Sequence, residues 1–399
     1  MISSLAIIFL VGLSLAEICH KLNLPRLIGL LISGIVLGPF ILDWIAPSLL
    51  SISAELRQIS LIIILLKAGL SLNLADLKSV GRPAFLMTFV PASLEICAYI
   101  LLAPILFNIS HIEGAVMGSA LAAVSPAVVV PKMLQFMEQR YGTNKNIPQL
   151  ILAGASADDI FVIVLFSVFL GMTQGHRSQV GDFLKFPISI VSGIFLGIAA
   201  GLSLYLFFET AYVKKNYVRN SMKVIIILGV AFLFIAIEEW LKNKIAISGL
   251  LAVVSMAAMI RRKSSPFVSQ RLSEKFGKLW LAAEILLFVL IGAAVDIRYT
   301  LNAGLPAILM ILIALIFRSV GVILCLAGTN LTWQERLFCV IAYLPKATVQ
   351  AAIGSVPLAM GLSCGQMILS VAVLAILITA PLGALGMDHT YQRLLHKDN

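Results

Sequence analysis

Charge is the scarcest feature of this sequence. Only 12% of its 399 residues are Asp, Glu, Lys or Arg, against about a quarter in soluble globular proteins, and no stretch has the make-up of a soluble domain. Cysteine is also sparse. Cys19, Cys97, Cys325, Cys339 and Cys364 lie in or beside apolar runs without paired spacing, which argues against disulfides or a metal cluster and for small apolar packing residues. The N-terminal residues lack a basic stretch and a small-residue cleavage pattern, so the first apolar run is expected to be retained, not removed as a signal peptide. No loop reads as a selectivity filter repeated around a pore, which disfavours a passive channel. The five histidines fall at run ends, in loops or in the tail, where a solvated role is expected rather than pH sensing.

What is abundant is apolar length, for 60% of the residues are hydrophobic. Runs long enough to cross about 30 Å of hydrocarbon as helix recur near 3–20, 25–42, 57–73, 83–107, 112–137, 147–172, 183–209, 221–239, 244–260, 277–295, 303–328, 335–360 and 364–386. The expected architecture is an all-α polytopic membrane protein of about 13 transmembrane helices, with the lipid bilayer as its partner. Apart from Lys67, Arg318 and Lys346, which fall within spans, Lys and Arg gather mostly in loops on one side. Positive loops stay inside, so the C-terminus is expected in the cytoplasm and the N-terminus outside, in a cell membrane (the inner membrane if the source is bacterial). The net charge of +10 then reflects topology and implies no nucleic-acid partner.

The chain is written twice. "RLIGLLISGIVLG" from Arg26 resembles "AISGLLAVVSMAA" from Ala246, and "LLKAGLSLN" from Leu65 resembles "VLIGAAVDI" from Val289, at nearly equal offsets. The expected organisation is a first repeat over 1–175, a linker span over 176–215, and a second repeat with a short cytoplasmic tail over 216–399. Six spans plus one linker span invert the second copy, the plan of secondary transporters with crossed discontinuous helices. "SPAVVVP" at 125–131 and "LPKATVQ" at 344–350 occupy equivalent spans. Pro126, Pro131 and Pro345 are expected to break them, because proline removes a backbone donor and leaves free amides and carbonyls at membrane depth.

Charges inside spans point to the same place. Asp158, Asp159, Glu95, Arg318, Lys346, Lys67, Glu17 and Glu284 all fall within predicted spans, where each costs about 2.5–3.5 kcal/mol to insert and should face a partner or a water-filled cavity. Glu95 and Arg318 are separated by the repeat offset itself and read as an ion pair. Asp158 and Asp159 are adjacent, so on a helix they point about 100° apart and need different roles. A desolvated carboxylate beside a second one binds a proton more readily than one in water, so a proton and a small hard cation such as Na⁺ or Li⁺ can compete for its oxygens. Ser156 and Thr348 are candidate hydroxyl ligands, although such residues often bond their own backbone.

"SPAVVVPKML", "YGTNKNIPQLILAGASADDI", "FRSVGVIL" and "YLPKATVQAAIGS" together resemble the NHA branch of the monovalent cation/proton antiporters, over roughly residues 20 to 360. The resemblance implies an NhaA-like fold and a homodimer held by a scaffold domain. It also implies a moving core of six helices and exchange of Na⁺ or Li⁺ for H⁺ without a cofactor. Asp159 matches the ion- or proton-binding aspartate and Asp158 its neighbour. Arg318 stands where many electrogenic relatives carry lysine, and Glu95 resembles the acidic partner of that arginine. Arginine does not readily release its proton, which favours one proton per cation. The alternative reading is a sodium-coupled organic-anion symporter of similar fold; an intramembrane aspartyl protease is disfavoured because its two aspartates come from separate helices.

Overall fold

The computed structural model describes residues 1–22, 24–71, 81–174, 180–213, 218–241, 247–296 and 304–397. In chain order the described helices of more than four residues are α1 (Ile2–Lys21), α2 (Arg26–Leu37), α3 (Ser53–Ser71), α4 (Arg82–Met87), α5 (Val90–Phe107), α6 (His111–Leu121), α7 (Pro126–Glu138) and α8 (Ile147–Gln174). There follow α9 (Val180–Val213), α10 (Asn220–Leu241), α11 (Gly249–Lys263), α12 (Pro266–Ala293), α13 (Gly304–Cys325), α14 (Trp333–Ala342), α15 (Thr348–Gly354) and α16 (Gly365–Leu394). Among the described residues, eight helical stretches are long and apolar enough to cross a membrane, with α2 and Thr348–Ala359 as shorter apolar pieces. Apolar side chains line the outside as well as the core. Ile105, Phe195, Ile225 and Ile316 are exposed, whereas Glu95, Asp158, Arg318, Lys346 and Gln350 are buried, as expected when the outer solvent is hydrocarbon.

The chain divides into two compact units. One joins Met1–Arg57, Asn73–Phe166 and Ile285–Asn399; the other joins Gln58–Leu72 and Ser167–Glu284. In the second unit α11 lies against α9 and α10. In the first, α5 packs between α6 and α13, and α16 runs against α14 and α15.

Two helices of the first unit are interrupted at depth. α6 ends at Leu121 and α7 begins at Pro126; α14 ends at Ala342 and α15 begins at Thr348. Proline explains both gaps: Pro126 opens α7, where its missing N–H costs nothing, and Pro345 biases Leu344 away from helical ψ. Pro131 differs from expectation, because α7 continues through it to Glu138. A single proline deletes one intrahelical bond, and its neighbours keep theirs.

Both interrupted helices start alike. Ser110 and Glu113 form a capping box on α6, and Thr332 and Glu335 form one on α14, each satisfying orphan N–H groups at the helix start. Each glutamate holds a second element as well: Ser363 donates to Glu113 Oε1 at 3.0 Å, and Lys145 Nζ pairs with Glu335 Oε2 at 2.8 Å.

Of the cysteines, Cys97 is exposed and the other four are buried, all as free thiols.

Candidate functional site

The site lies where the two interruptions meet. α6 ends with its carbonyls unpaired and therefore carries partial negative charge. Lys346 Nζ and Gln350 Nε2 donate to Leu121 O at 2.6 and 3.1 Å, Arg318 Nη1 donates to Ala122 O, and Gln350 Nε2 also reaches Ala123 O at 2.6 Å. The next amide, Val124 N–H, donates to Asp158 Oδ2 at 2.8 Å. At the second interruption Arg318 Nε donates to Tyr343 O at 2.6 Å and Thr379 Oγ1 accepts from Lys346 N at 2.9 Å. Ser125 N–H joins the two gaps by donating to Pro345 O at 2.8 Å. Backbone groups released by the breaks are thus matched, as burial requires.

Side chains complete an ionic chain. Arg318 bonds Glu95 Oε2 at 2.9 Å and Asp158 Oδ2 at 3.0 Å, with all three side chains fully buried. Lys346 Nζ lies 2.6 Å from Glu95 Oε1. The expected Glu95–Arg318 pair is therefore present, but as the centre of a group of four. Two carboxylates balance two cations within it, and Asp159 stands outside. Asp159 is 6% exposed and its Oδ1 has no hydrogen-bond partner; the buried Oδ1 of Asp158 and Oγ of Ser125 are likewise unpartnered.

Close approaches shape the surroundings of the site. A Cβ at Gly154, one turn before Asp158, would sit 2.0 Å from the Tyr343 hydroxyl, and one at Gly383 would sit 2.2 Å from Pro345 Cγ. Only glycine lets the Tyr343 ring and the second break seat against α8 and α16. The guanidinium of Arg318 lies over the same tyrosine ring, 5.5 Å from its centroid.

Asp158, Asp159, Glu95, Arg318, Lys346 and the two breaks flanking Pro126 and Pro345 thus converge. Thr348 is buried as the first residue of α15. Ser156 is helical on α8, and its side chain lies outside the described residues. Lys67 belongs to the other unit, with Nζ 5.8 Å from the Trp280 ring centroid and the charge of Glu284 acting on it. Glu17 pairs with Arg26 at 3.2 Å, both well exposed. Reading the sequence missed Gln350, Tyr343 and Thr379. An amide within an apolar span is itself a signal, and Gln350 stood in plain sight in "LPKATVQ".

Interrupted helices facing each other around buried carboxylates define the class, a helical ion transporter of the antiporter fold. The chain aligns with the sodium proton antiporter MjNhaP1 from Methanocaldococcus jannaschii at a TM-score of 0.79, covering 98% of both chains at 21% identity. A second structure of that antiporter gives a TM-score of 0.74 over 98% of this chain and 96% of that one, at 22% identity. The family model described as sodium/hydrogen exchanger, transmembrane, matches residues 5–388. Sodium/hydrogen exchanger 9B2 of mouse is 34% identical over 94% of this chain and 69% of its own length, and human 9B2 is 34% identical over 94% and 70%. Mouse sodium/hydrogen exchanger 9B1 is 30% identical over 91% and 64%. The chain belongs to the sodium/hydrogen exchanger family, as the "DD" and "LPKATVQ" segments led one to expect.

Proposed function

We propose that this protein is a secondary active Na⁺(Li⁺)/H⁺ antiporter, not an enzyme, in which cation and proton compete for Asp159. The observation that carries this reading is the charge balance at the crossing. Glu95 and Asp158 are matched by Arg318 and Lys346, so the buried network is neutral without Asp159. An additional carboxylate with an unpartnered oxygen is costly to bury as an anion. A proton or a small hard cation relieves that cost, and because both need the same oxygens they exclude one another. Asp158, tied to Val124 N–H and Arg318, is the fixed member of the pair; its free Oδ1 and the Ser125 hydroxyl are available to a bound cation, with Ser156 and Thr348 as further hydroxyl candidates.

Arg318 stays charged throughout the cycle, which favours one proton per cation and electroneutral exchange. The proposed topology is thirteen crossings in two inverted repeats, with the N-terminus outside and the C-terminus in the cytoplasm of a cell membrane. Repeated contacts support it. Gly292 on α12 meets the backbone of α2 at Leu31 O, and its counterpart Gly69 on α3 meets the backbone of α11, the counterpart of α2, at Val254 O. Glu113 and Glu335 repeat the same capping box at the head of each broken helix. An elevator-like motion in a homodimer is proposed from the family resemblance.

Proton flux in proteoliposomes, with Na⁺, Li⁺ or K⁺ added in turn and the voltage clamped at zero or left free, tests the reading. Na⁺- or Li⁺-driven proton movement that is indifferent to the clamp is expected. Acceleration on clamping would overturn electroneutrality, and no response to any cation would replace antiport with organic-anion symport.

A further inference from the structure

The planar, trans peptide group joining Ala123 to Val124 is gripped from both edges. Its C=O accepts from Gln350 Nε2 at 2.6 Å, and its N–H donates to Asp158 Oδ2 at 2.8 Å. Because the six atoms of a peptide group move as one plate, a bond that fixes the carbonyl also fixes where the amide points. Nothing helical holds this plate, since it lies in the interruption between α6 and α7.

Gln350 is built for the task. Its side chain is fully buried on α15. Oε1 accepts from Ala347 N–H at 2.7 Å, while Nε2 donates to both Leu121 O and Ala123 O. An acceptor and two donors are thus used in three directions, spanning both interruptions. Only an amide of this length supplies that set: glutamate has the acceptors and lacks the donors, lysine has the donors and lacks the acceptor, and asparagine is shorter by a methylene. Lys346, which also reaches Leu121 O, leaves Ala123 O to Gln350.

From this geometry we infer that Gln350 is a positioning residue for cation exchange: it holds the Ala123–Val124 peptide so that the Val124 amide stays aimed at Asp158, and thereby fixes the field in which Asp159 chooses between proton and cation. The role rests on the antiport reading above. The groups acting around Asp158 are Arg318 from α13, Lys346 and Tyr343 from the second interruption, Glu95 from α5 and Asp159 beside it on α8. None of them reaches the Ala123 carbonyl among the described hydrogen bonds. Losing Gln350 frees the plate, and Asp158 then relies on Arg318 alone for its Oδ2.

Two variants test this in proteoliposomes, with melting temperature measured alongside. Gln350→Met keeps length and removes both donors and the acceptor of Ala347 N–H; it is expected to fold and to raise the apparent KM for Na⁺ or Li⁺ by roughly tenfold or more, the size of effect found when outer partners of a metal ligand are removed. The midpoint of its pH profile should move to more alkaline values, because the negative charge of Asp158 is then less offset and a second anion beside it at Asp159 is harder to form. Gln350→Glu keeps one donor only while the new carboxyl is protonated, so its exchange should approach that of the wild type at the acid end of the profile and fall about tenfold below it at the alkaline end. A wild-type KM and pH profile in both variants would overturn the role, as would variants unfolded at every pH, since packing alone would then account for the residue. A wild type that moves no protons with any cation overturns the antiport reading instead, and the role with it.

Discussion

The two interruptions are alike in backbone and opposite in chemistry. The first, between Leu121 and Pro126, contributes main-chain groups: three carbonyls in a row and the Val124 amide, taken by side chains from elsewhere, and the Ser125 amide, taken by Pro345 O. The second, between Ala342 and Thr348, also offers main-chain groups, at Tyr343 O, Pro345 O and Lys346 N, but adds Lys346 and, one turn later, Gln350, side chains that serve the carbonyls of Leu121 and Ala123. Charge divides along the same line. Within the network, Glu95, Asp158 and Asp159 precede residue 160, and the two cations that serve it, Arg318 and Lys346, come from the later part of the chain. A duplicated shape can therefore serve as two halves of one device, with acids and bare backbone on one side and bases and an amide on the other.

The sharpest way to break this contrast is at the unmatched acid. Asp159→Asn should reduce cation-driven proton movement to the level of empty liposomes while the melting temperature stays near that of the wild type; substantial exchange in that variant sinks the central claim. Next is Arg318→Met, which leaves Asp158 without its cation and Glu95 with Lys346 alone, and unpairs the carbonyls of Ala122 and Tyr343. A loss of about 3–5 kcal/mol is expected, measurable as a collapse of thermal stability in detergent. Swapping the pair, as Glu95→Arg with Arg318→Glu, should not rescue it. The new arginine would face Lys346 and the new glutamate would face Asp158, so recovery of stability in the swap would show the two residues to be an isolated pair.

Lys346→Met is expected to do less harm, about 1–3 kcal/mol. Gln350 still covers Leu121 O and Arg318 still covers Glu95. An effect equal to that of Arg318→Met would mean that the second interruption carries the network by itself. At the periphery, Lys145→Met removes a partner that is 37% exposed from a glutamate that keeps its capping bond to Thr332 N–H. A change below about 1 kcal/mol is expected, and a larger one would show that the capping glutamates do more than start helices.

Much of this was legible in the residues. Apolar run length marks a membrane protein because hydrocarbon demands it, and mid-span carboxylates mark the site because their cost must be offset. The separation of Glu95 and Arg318, nearly the offset between the similar segments of the sequence, pointed to their contact. What stayed hidden is whatever depends on backbone position. Nothing in the letters says that Lys346 would divide itself between Glu95 and a carbonyl, or that Gln350 would span two breaks, because those partners are peptide groups common to all residues. Pro131 illustrates the converse: the same residue type that ends one helix is carried inside another. The two capping boxes were readable as Ser110-x-x-Glu113 and Thr332-x-x-Glu335, and went unread because the surrounding apolar runs dominated.

The division of charge along the chain also has a history in time. Asp158 lies 160 residues before Arg318, and Glu95 lies 223 before it. At synthesis rates of about 5–20 residues per second, the acids wait on the order of ten to forty seconds for their guanidinium. Insertion in chain order would place these acids in the bilayer before their cations are made. A ribosome-held chain stopped short of residue 318 should leave Asp158 open to a carboxyl-modifying reagent, and the finished chain should shield it.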